Sequence, residues 1–558
     1  MSPAARPSRR GPAGRDRSRP GSPGLPAAGA PVLAAFAALL ILAPPASNYF
    51  WAVNGLRSLG TSAIAALLLV AALAALPALL RLRGAAVWWG IALVLALAVA
   101  FPLRERIHLL GDTQYRLRAL QAQSLGLTGA IRLLVSPLDF ALDVWGATLV
   151  HGLGIRLPVS ISILGLALGL AYLGGAWRLS GRLGGASELR IALALALSLT
   201  GTLEAFAGYA EVAGLVAAAS IWWWAELLAP MRSRGQALRS AAAFAVLLLG
   251  HRIALAAILP QLWRALGPPA EGDRPEARRA LLGLTLGAIV LAGLAALRAG
   301  VFVQLGRDVA DLLRSTAGRP LRPSDSANGL LLVAPLALLA PALAGRRVLG
   351  EWLRAPAFQW IAIAATPLLV ALAWVFPIGE TGLGAHRDWD ANVLLGITLS
   401  AGAVSLLARL PANRLRLALA LALPLLAVGA LGWVAVNADP VVATARGVAL
   451  GRAAPLLPGA QMAHLHDYFG QRAMDERRPD LAARHYRAGY EQGGGPRRLL
   501  LEAEAWLVSG NPEAARRALA LARSRGPLNP ELESSARELG RSLGGVGADS
   551  AAGGPPGP

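Results

Sequence analysis

The residues of this 558-residue chain that could do chemistry lie in five short stretches among long apolar runs. The first reads Arg104-Glu105-Arg106-Ile107-His108-Leu109-Leu110-Gly111-Asp112-Thr113-Gln114-Tyr115-Arg116. Asp112 is a carboxylate just past the end of an apolar run, where a general base could meet an acceptor hydroxyl. It equally suits the N-cap of a helix over 113–125. Arg104, Arg106, Arg116 and Arg118 supply forked donors for a phosphate or diphosphate, or pair with lipid headgroups. The second stretch holds Glu204, Tyr209 and Glu211. The two acids are seven apart, so a continuous helix puts them on one face, as a site or as side chains reaching the headgroups. The third is His251-Arg252, alone in the middle of an apolar run. The fourth, 323–328, carries Asp325 and Asn328. In the fifth, His386, Asp388 and Asp390 alternate, with Arg387 between. An extended strand aims all three one way and offers oxygen and imidazole ligands to a divalent cation. A helix start, where acids meet the positive end of the dipole, accounts for Asp388 and Asp390 equally well.

The elements that must hold these residues are membrane helices. Only 15% of the chain is charged, 55% is hydrophobic and the mean hydropathy is +0.52. A soluble domain carries about a quarter charged residues, so the composition excludes a soluble enzyme for most of the length, and a chain disordered throughout. Apolar runs begin at Val32–Ala43 and continue at 62–80, 85–103, 159–177, 189–203, 207–229, 240–263, 280–297, 328–344, 358–377, 391–408 and 415–436. The fold class is therefore all-α, a polytopic membrane helix bundle of about 11–13 spans or half-spans with a C-terminal helical-repeat domain. Residues 1–30 read as a disordered Arg/Pro-rich cytoplasmic tail, 31–437 as the membrane domain, 438–543 as an external helical domain and 544–558 as a disordered tail. The first apolar run reads as an uncleaved span.

All 53 basic residues are arginine, and the net charge is +21. They sit in short runs between apolar segments, which speaks for membrane topology and against a nucleic-acid partner. Counted by that rule, the N-terminus is cytoplasmic and all five polar stretches face outside, with the C-terminal domain. The alternation holds only if 240–263 enters and returns on one side, broken at His251-Arg252. Trp222-Trp223-Trp224, Trp374, Phe376 and Trp389 are expected as interfacial anchors. The location implied is a multi-pass protein of a bacterial inner (cytoplasmic) membrane. There is no cysteine, hence no disulfide and no thiolate zinc site.

In order along the chain stand Gly111-Asp112-x-x-Tyr115, Ser136-Pro137-Leu138, Gly208-Tyr209-x-Glu211 and a His-Arg in a broken helix. This order resembles the GT-C class of multi-spanning glycosyltransferases, the protein mannosyltransferase-like and lipopolysaccharide sugar transferase-like families, over roughly 85–440. The resemblance implies transfer of a sugar from a polyprenyl-phosphate donor, with an acidic residue of the first external loop as base. Asp112 is the residue that fits. It further implies membrane lipid and the lipid-linked sugar as partners. Asp388 is a second catalytic candidate. Arg104, Arg106, Tyr115, Arg116, Glu204, Tyr209, Glu211, His251, Arg252, His386, Arg387 and Asp390 are substrate-binding candidates. The class departs here in one respect: Gly111 precedes a single Asp where paired acids are frequent.

The tail resembles tetratricopeptide repeats. Leu481-Ala482-Ala483-Arg484 returns as Glu513-Ala514-Ala515-Arg516, and Pro496 returns as Pro530, at the period of a helix–turn–helix unit. Asp480 and Asn511 mark the turns, and a protein partner is the expected ligand. Two other readings of the whole chain stand beside the transferase: a lipid or sugar transporter, with ionisable groups at the bilayer midplane, and a non-catalytic scaffold acting through its repeats.

Overall fold

Runs of alanine and leucine bury nothing polar and satisfy every backbone group within one segment, so they fold as helices. The structure is a computed structural model. It describes residues 24–44, 47–80, 84–100, 102–105, 109–110, 147–183, 187–209, 213–298, 306, 323–378, 387, 389–453, 457, 459–493, 495–528 and 530–552. Every regular element among them is helical.

The membrane part comprises α1 (Gly29–Leu42), α2 (Thr61–Leu79), α3 (Ala85–Ala100), α4 (Ala147–Gly152), α5 (Leu157–Arg182), α6 (Arg190–Ser198), α7 (Ala213–Leu227), α8 (Arg234–Gly250), α9 (Ile258–Leu266), α10 (Pro275–Arg298), α11 (Pro323–Val333), α12 (Pro335–Leu353), α13 (Pro356–Ile378), α14 (Val393–Leu407) and α15 (Ala412–Ala438). Six helical stretches among the described residues are long and apolar enough to cross a membrane, and α11–α12, bent by 76° at Ala334, make a seventh as one broken span. The rest are shorter. Leucines on α2 and α10 stay exposed, such as Leu69 at 63% and Leu291 at 67%. An apolar helix with an apolar outer face is one that meets lipid.

Long-range polar contacts sort into two ends of the bundle. α5, α7, α14 and α15 each run from one to the other. At the arginine end, Glu226 of α7 receives Arg178 and Arg182 of α5 and Arg239 of α8. There too Arg416 of α15 meets Glu188 at 3.1 Å, and Trp352 donates to Ser405 at 2.9 Å. At the loop end lie 47–54, 104–105, 109–110, 204–209, 325–328, 387, 389–392 and 437–453. Asn328 shows how they are tied: its Oδ1 accepts from Ala52 N at 2.9 Å and its amide donates to Tyr49 O at 2.9 Å.

The stretch 234–266 does enter and return at one end. Arg239 at its start bonds Glu226, and Arg264 at its finish donates to Leu227 O and Ala229 O, both at 3.1 Å. α8 ends at Gly250, His251 takes extended φ/ψ, and a 3-10 turn over Arg252–Ala257 leads into α9. Two of the tryptophan triplet are not the interfacial anchors the sequence suggests, while Trp222 stays half-exposed. Trp223 and Trp224 are fully buried, donating to Gln261 Oε1 at 2.7 Å and Thr398 Oγ1 at 3.2 Å. Trp389 is equally buried. The indole N–H groups of Trp223 and Trp224, which find partners inside the bundle, have no need of the interface.

Beyond the membrane part, α16 (Pro440–Arg452) packs back on the loop end: Arg446 is buried and donates to Trp51 O and Asn54 Oδ1. Then come α17 (Gly459–Asp475), α18 (Pro479–Glu491), α19 (Arg497–Val508), α20 (Pro512–Ser524) and α21 (Pro530–Ala552), each packed on the next. Asn511 caps α20, accepting from Ala514 N at 3.1 Å. Tyr468 and Phe469 of α17 close over Leu109, fixing this array to the loop end.

Candidate functional site

The chain leaves α3 and returns at Arg104-Glu105 to lie along the 3-10 turn Gly201–Phe206. Glu105 N donates to Ala207 O at 2.6 Å. That approach depends on Gly208, whose φ is +85°. A Cβ there would stand 3.1 Å from Ser162 Oγ and 3.3 Å from Arg104 Cβ. Glycine alone takes this conformation without cost. The described chain is a 3-10 turn over Gly201–Phe206 followed by Gly208 at positive φ; Glu211, the other acid of the expected helical face, lies outside the described residues.

Glu105 is 2% exposed and Glu204 0%. Glu105 Oε1 accepts Leu110 N at 3.2 Å. Arg387 is also buried, donating from Nε to Leu109 O at 2.7 Å, with its guanidinium 5.7 Å from the Tyr468 ring. Three distant segments thus bring two acids and one cation together. Burial is the main influence on Glu105, which lies in the loop beyond α3. It pushes the carboxyl up to about 8, against the opposing pull of the Leu110 and Leu109 amides and the Arg387 charge. At neutral pH Glu105 therefore keeps its proton. Glu204 lies within charge reach of Glu105 and beside the Asn437 side chain. Neither of its oxygens receives a well-formed hydrogen bond among the described residues. A buried carboxyl left so is costly and marks a place where a further polar group fits.

An aromatic row leads away from this pair. Tyr209 packs on Trp389 (5.7 Å between centroids), Trp389 on Trp433 (6.3 Å) and Trp433 on Trp51 (6.0 Å). Arg446 lies 5.0 Å over Trp433. Trp51 Nε1 donates to Asp325 Oδ1 at 3.2 Å. Asp390 is half-buried in the 3-10 turn Trp389–Asn392 that opens α14, so it occupies the helix start.

Of the sequence candidates, Arg104, Glu204, Tyr209, Arg387 and Asp390 are brought to the loop end. His251 and Arg252 sit at the separate break between α8 and α9. His251 Nδ1 accepts Ile253 N at 3.1 Å, a capping role, and Arg252 is exposed. Asp112, Asp388, Arg106, Tyr115, Arg116, Glu211 and His386 lie outside the described residues, as do Arg118 and 136–138. Their chain neighbours do not: Asp112 is two residues from Leu110, His386 adjoins Arg387, and Asp388 stands between Arg387 and Trp389. Only Asp390 of the proposed cation trio is described, and no group of three or more metal-ligating side chains gathers among the described residues.

Sequence reasoning missed Glu105, Asn437 and Arg446. For Glu105 the available signal was a lone acid between two arginines at the end of an apolar run. For Arg446 it was an arginine in the first helix after the last span.

No family model matches the chain, and no curated protein matches it. Among solved structures, it is similar to the crystal structure of ArnT from Cupriavidus metallidurans bound to undecaprenyl phosphate. The identity is 15%, covering 84% of this chain and 79% of that one, with a TM-score of 0.37. No residue correspondence follows at that level.

Proposed function

We propose that the chain is an integral membrane glycosyltransferase that moves a sugar from a polyprenyl-phosphate donor to an acceptor at the external membrane face. The observation that supports it most is the buried pair Glu105 and Glu204, set with Arg387 at one end of a membrane bundle. A lipid-linked sugar phosphate needs acids and cations in one place: carboxyl groups to bond the acceptor and sugar hydroxyls, and guanidinium groups for the leaving phosphate.

In the reaction, the acceptor oxygen attacks the anomeric carbon. The bond from that carbon to the lipid phosphate oxygen breaks, and the electron pair leaves with polyprenyl phosphate. The acceptor proton passes to a carboxylate. Glu105, protonated at neutral pH, is unsuited to receive it and suits hydrogen-bond donation instead. Asp112 is the base in this reading, and Asp388 orients the donor or holds a divalent cation with His386 and Asp390. Arg387 with Arg104, Arg106 and Arg116 would face the phosphate. Tyr115, Tyr209, Glu204 and Glu211 would hold sugar hydroxyls, and His251-Arg252 would line the approach from the neighbouring break. The helical tail, as a tetratricopeptide-like array, would hold a protein or nascent polymer near the site.

Purified chain in vesicles, given a polyprenyl-phosphate sugar labelled in both sugar and lipid, separates this from transport. Transfer appears as free polyprenyl phosphate with the sugar on a hydroxyl acceptor. Intact donor crossing the bilayer, with no bond cleaved, would contradict the proposal and establish a transporter.

A further inference from the structure

Glu226 lies near the end of α7, 1% exposed, with three arginines around it. Arg178 spends both Nε and Nη2 on Glu226 Oε1, each at 2.5 Å. Arg239 reaches the same oxygen at 3.2 Å, and Arg182 approaches Oε2 only to 3.8 Å. One carboxylate therefore answers three guanidiniums. Arg190 adds a fourth nearby, donating to Trp177 O at 3.0 Å and stacking 3.8 Å over the Trp177 ring, against Gly181. The nearby acids do not restore the balance. Glu188 is held by Arg416 at 3.1 Å, and Asp273 by Arg264 at 2.6 Å.

The positive surplus stands at a particular depth. α5 has 26 residues, about 39 Å of helix at 1.5 Å per residue. The hydrocarbon core is about 30 Å thick, so the last turns of α5, with Arg178 and Arg182, extend into the headgroup layer. The outer sides of the arginines are open there: Arg182 is 35% and Arg239 49% exposed. Trp222 lies under Arg178 at 5.6 Å, and Leu238, next to Arg239, is 56% exposed. A cationic fork above apolar side chains fits an amphiphile with a phosphate head.

We propose that Arg178, Arg182 and Arg239 form a binding site for the phosphate headgroup of an anionic phospholipid, with its acyl chains along Trp222 and Leu238. The site lies at the opposite end of the bundle from Glu105 and does not depend on the transferase reading. Its occupant is a structural lipid of the bilayer.

The test is native mass spectrometry of the full chain in detergent, titrated with phosphatidylglycerol, with phosphatidylcholine and inorganic phosphate in parallel. The expected result is preferential retention of phosphatidylglycerol. R182Q should weaken it about fivefold, the worth of one arginine at an anionic surface. This variant leaves Glu226 its two closer partners, so the bundle is spared. E226Q should tighten binding, because it releases three guanidiniums to the lipid. R347Q, an arginine 91% exposed and paired with Glu351, should change nothing. Equal affinity of wild type and R182Q overturns the proposal, as does retention of phosphatidylcholine to the same extent. Displacement of the lipid by inorganic phosphate at equal concentration overturns the lipid as occupant.

Discussion

The two ends of the membrane bundle solve the problem of buried charge in opposite ways. At the arginine end, the one acid of the α5–α7–α8 cluster is surrounded: Glu226 takes three cations. Asp273 takes two Arg264 bonds at 2.6 Å and the amides of Met231 and Ala270. Such pairing holds helices in place and leaves Asp273 nothing further to do, while the charge of Glu226 is compensated although its Oε2 has no hydrogen bond among the described residues. At the loop end, two carboxyls are buried within charge reach of each other. Arg387 there gives its Nε to a backbone carbonyl, and neither carboxyl oxygen of Glu204 receives a well-formed hydrogen bond among the described residues. Such an arrangement lowers stability and is kept where the groups are used for something else. The contrast teaches where to look for chemistry: buried acids occur at both ends, and what differs is that cations face the acid at one end and a second acid faces it at the other.

Five substitutions sharpen that contrast, beginning with the strongest. Asp112→Asn should lower sugar transfer about 10²–10⁴-fold, the usual worth of a general base, with expression and membrane insertion unchanged. Asp388→Asn should be nearly as harmful. Full activity in the first variant would return Asp112 to the role of a helix cap. Next in size is Gly208→Ala, which forces a side chain into the left-handed region at a cost of about 1–2 kcal/mol and presses on Arg104. Thermal unfolding in detergent should shift down, and transfer should fall with it.

A smaller effect comes from pH. The folded pKa of Glu105, about 8, is above the 4.5 of an ordinary glutamate. Its contribution to stability is therefore complete below pH 4.5 and is lost as pH rises through about 8. Glu105→Gln cannot ionise, so unfolding temperatures at pH 5 and pH 9 should lie closer together than in the wild type. An unchanged difference would mean that Glu105 is not the group losing its proton. The smallest effect belongs to Glu351→Gln, an exposed i,i+4 partner of Arg347 at the arginine end. Transfer and stability should both stay at wild-type values, since an exposed pair is worth at most about 1 kcal/mol.

Much of the architecture was legible in the residues. Each apolar run has its helix, and the break at His251 was readable because a His-Arg pair cannot sit unaided in the middle of a span. The turn at Asn511 was readable from its cap and the following helix, whereas Asp480 lies in the first turn of α18 and pairs with Arg484. The site was less so. Arg387 Nε and Leu109 O are 278 positions apart, and no local pattern reports a pairing over that separation. Glu105 looked like a surface acid among arginines until the turn at Gly208 drew it inward. Trp223 and Trp224 misled because an indole serves an interface or a core equally well. Only the placement of Gln261 and Thr398 opposite the N–H groups decides. Asp390 stands in the 3-10 turn that opens α14, and that turn is itself part of the polar cluster.

The central claim is that the loop end, and not the arginine end, receives the sugar donor. Photocrosslinking tests it directly, with a polyprenyl-phosphate sugar carrying a photoreactive group on the sugar and the labelled peptides of the purified chain identified by mass spectrometry. The account predicts label in peptides containing 104–116, 204–211 and 387–392, competed away by unmodified donor. Competable label concentrated instead in 178–190 and 226–239 would contradict it.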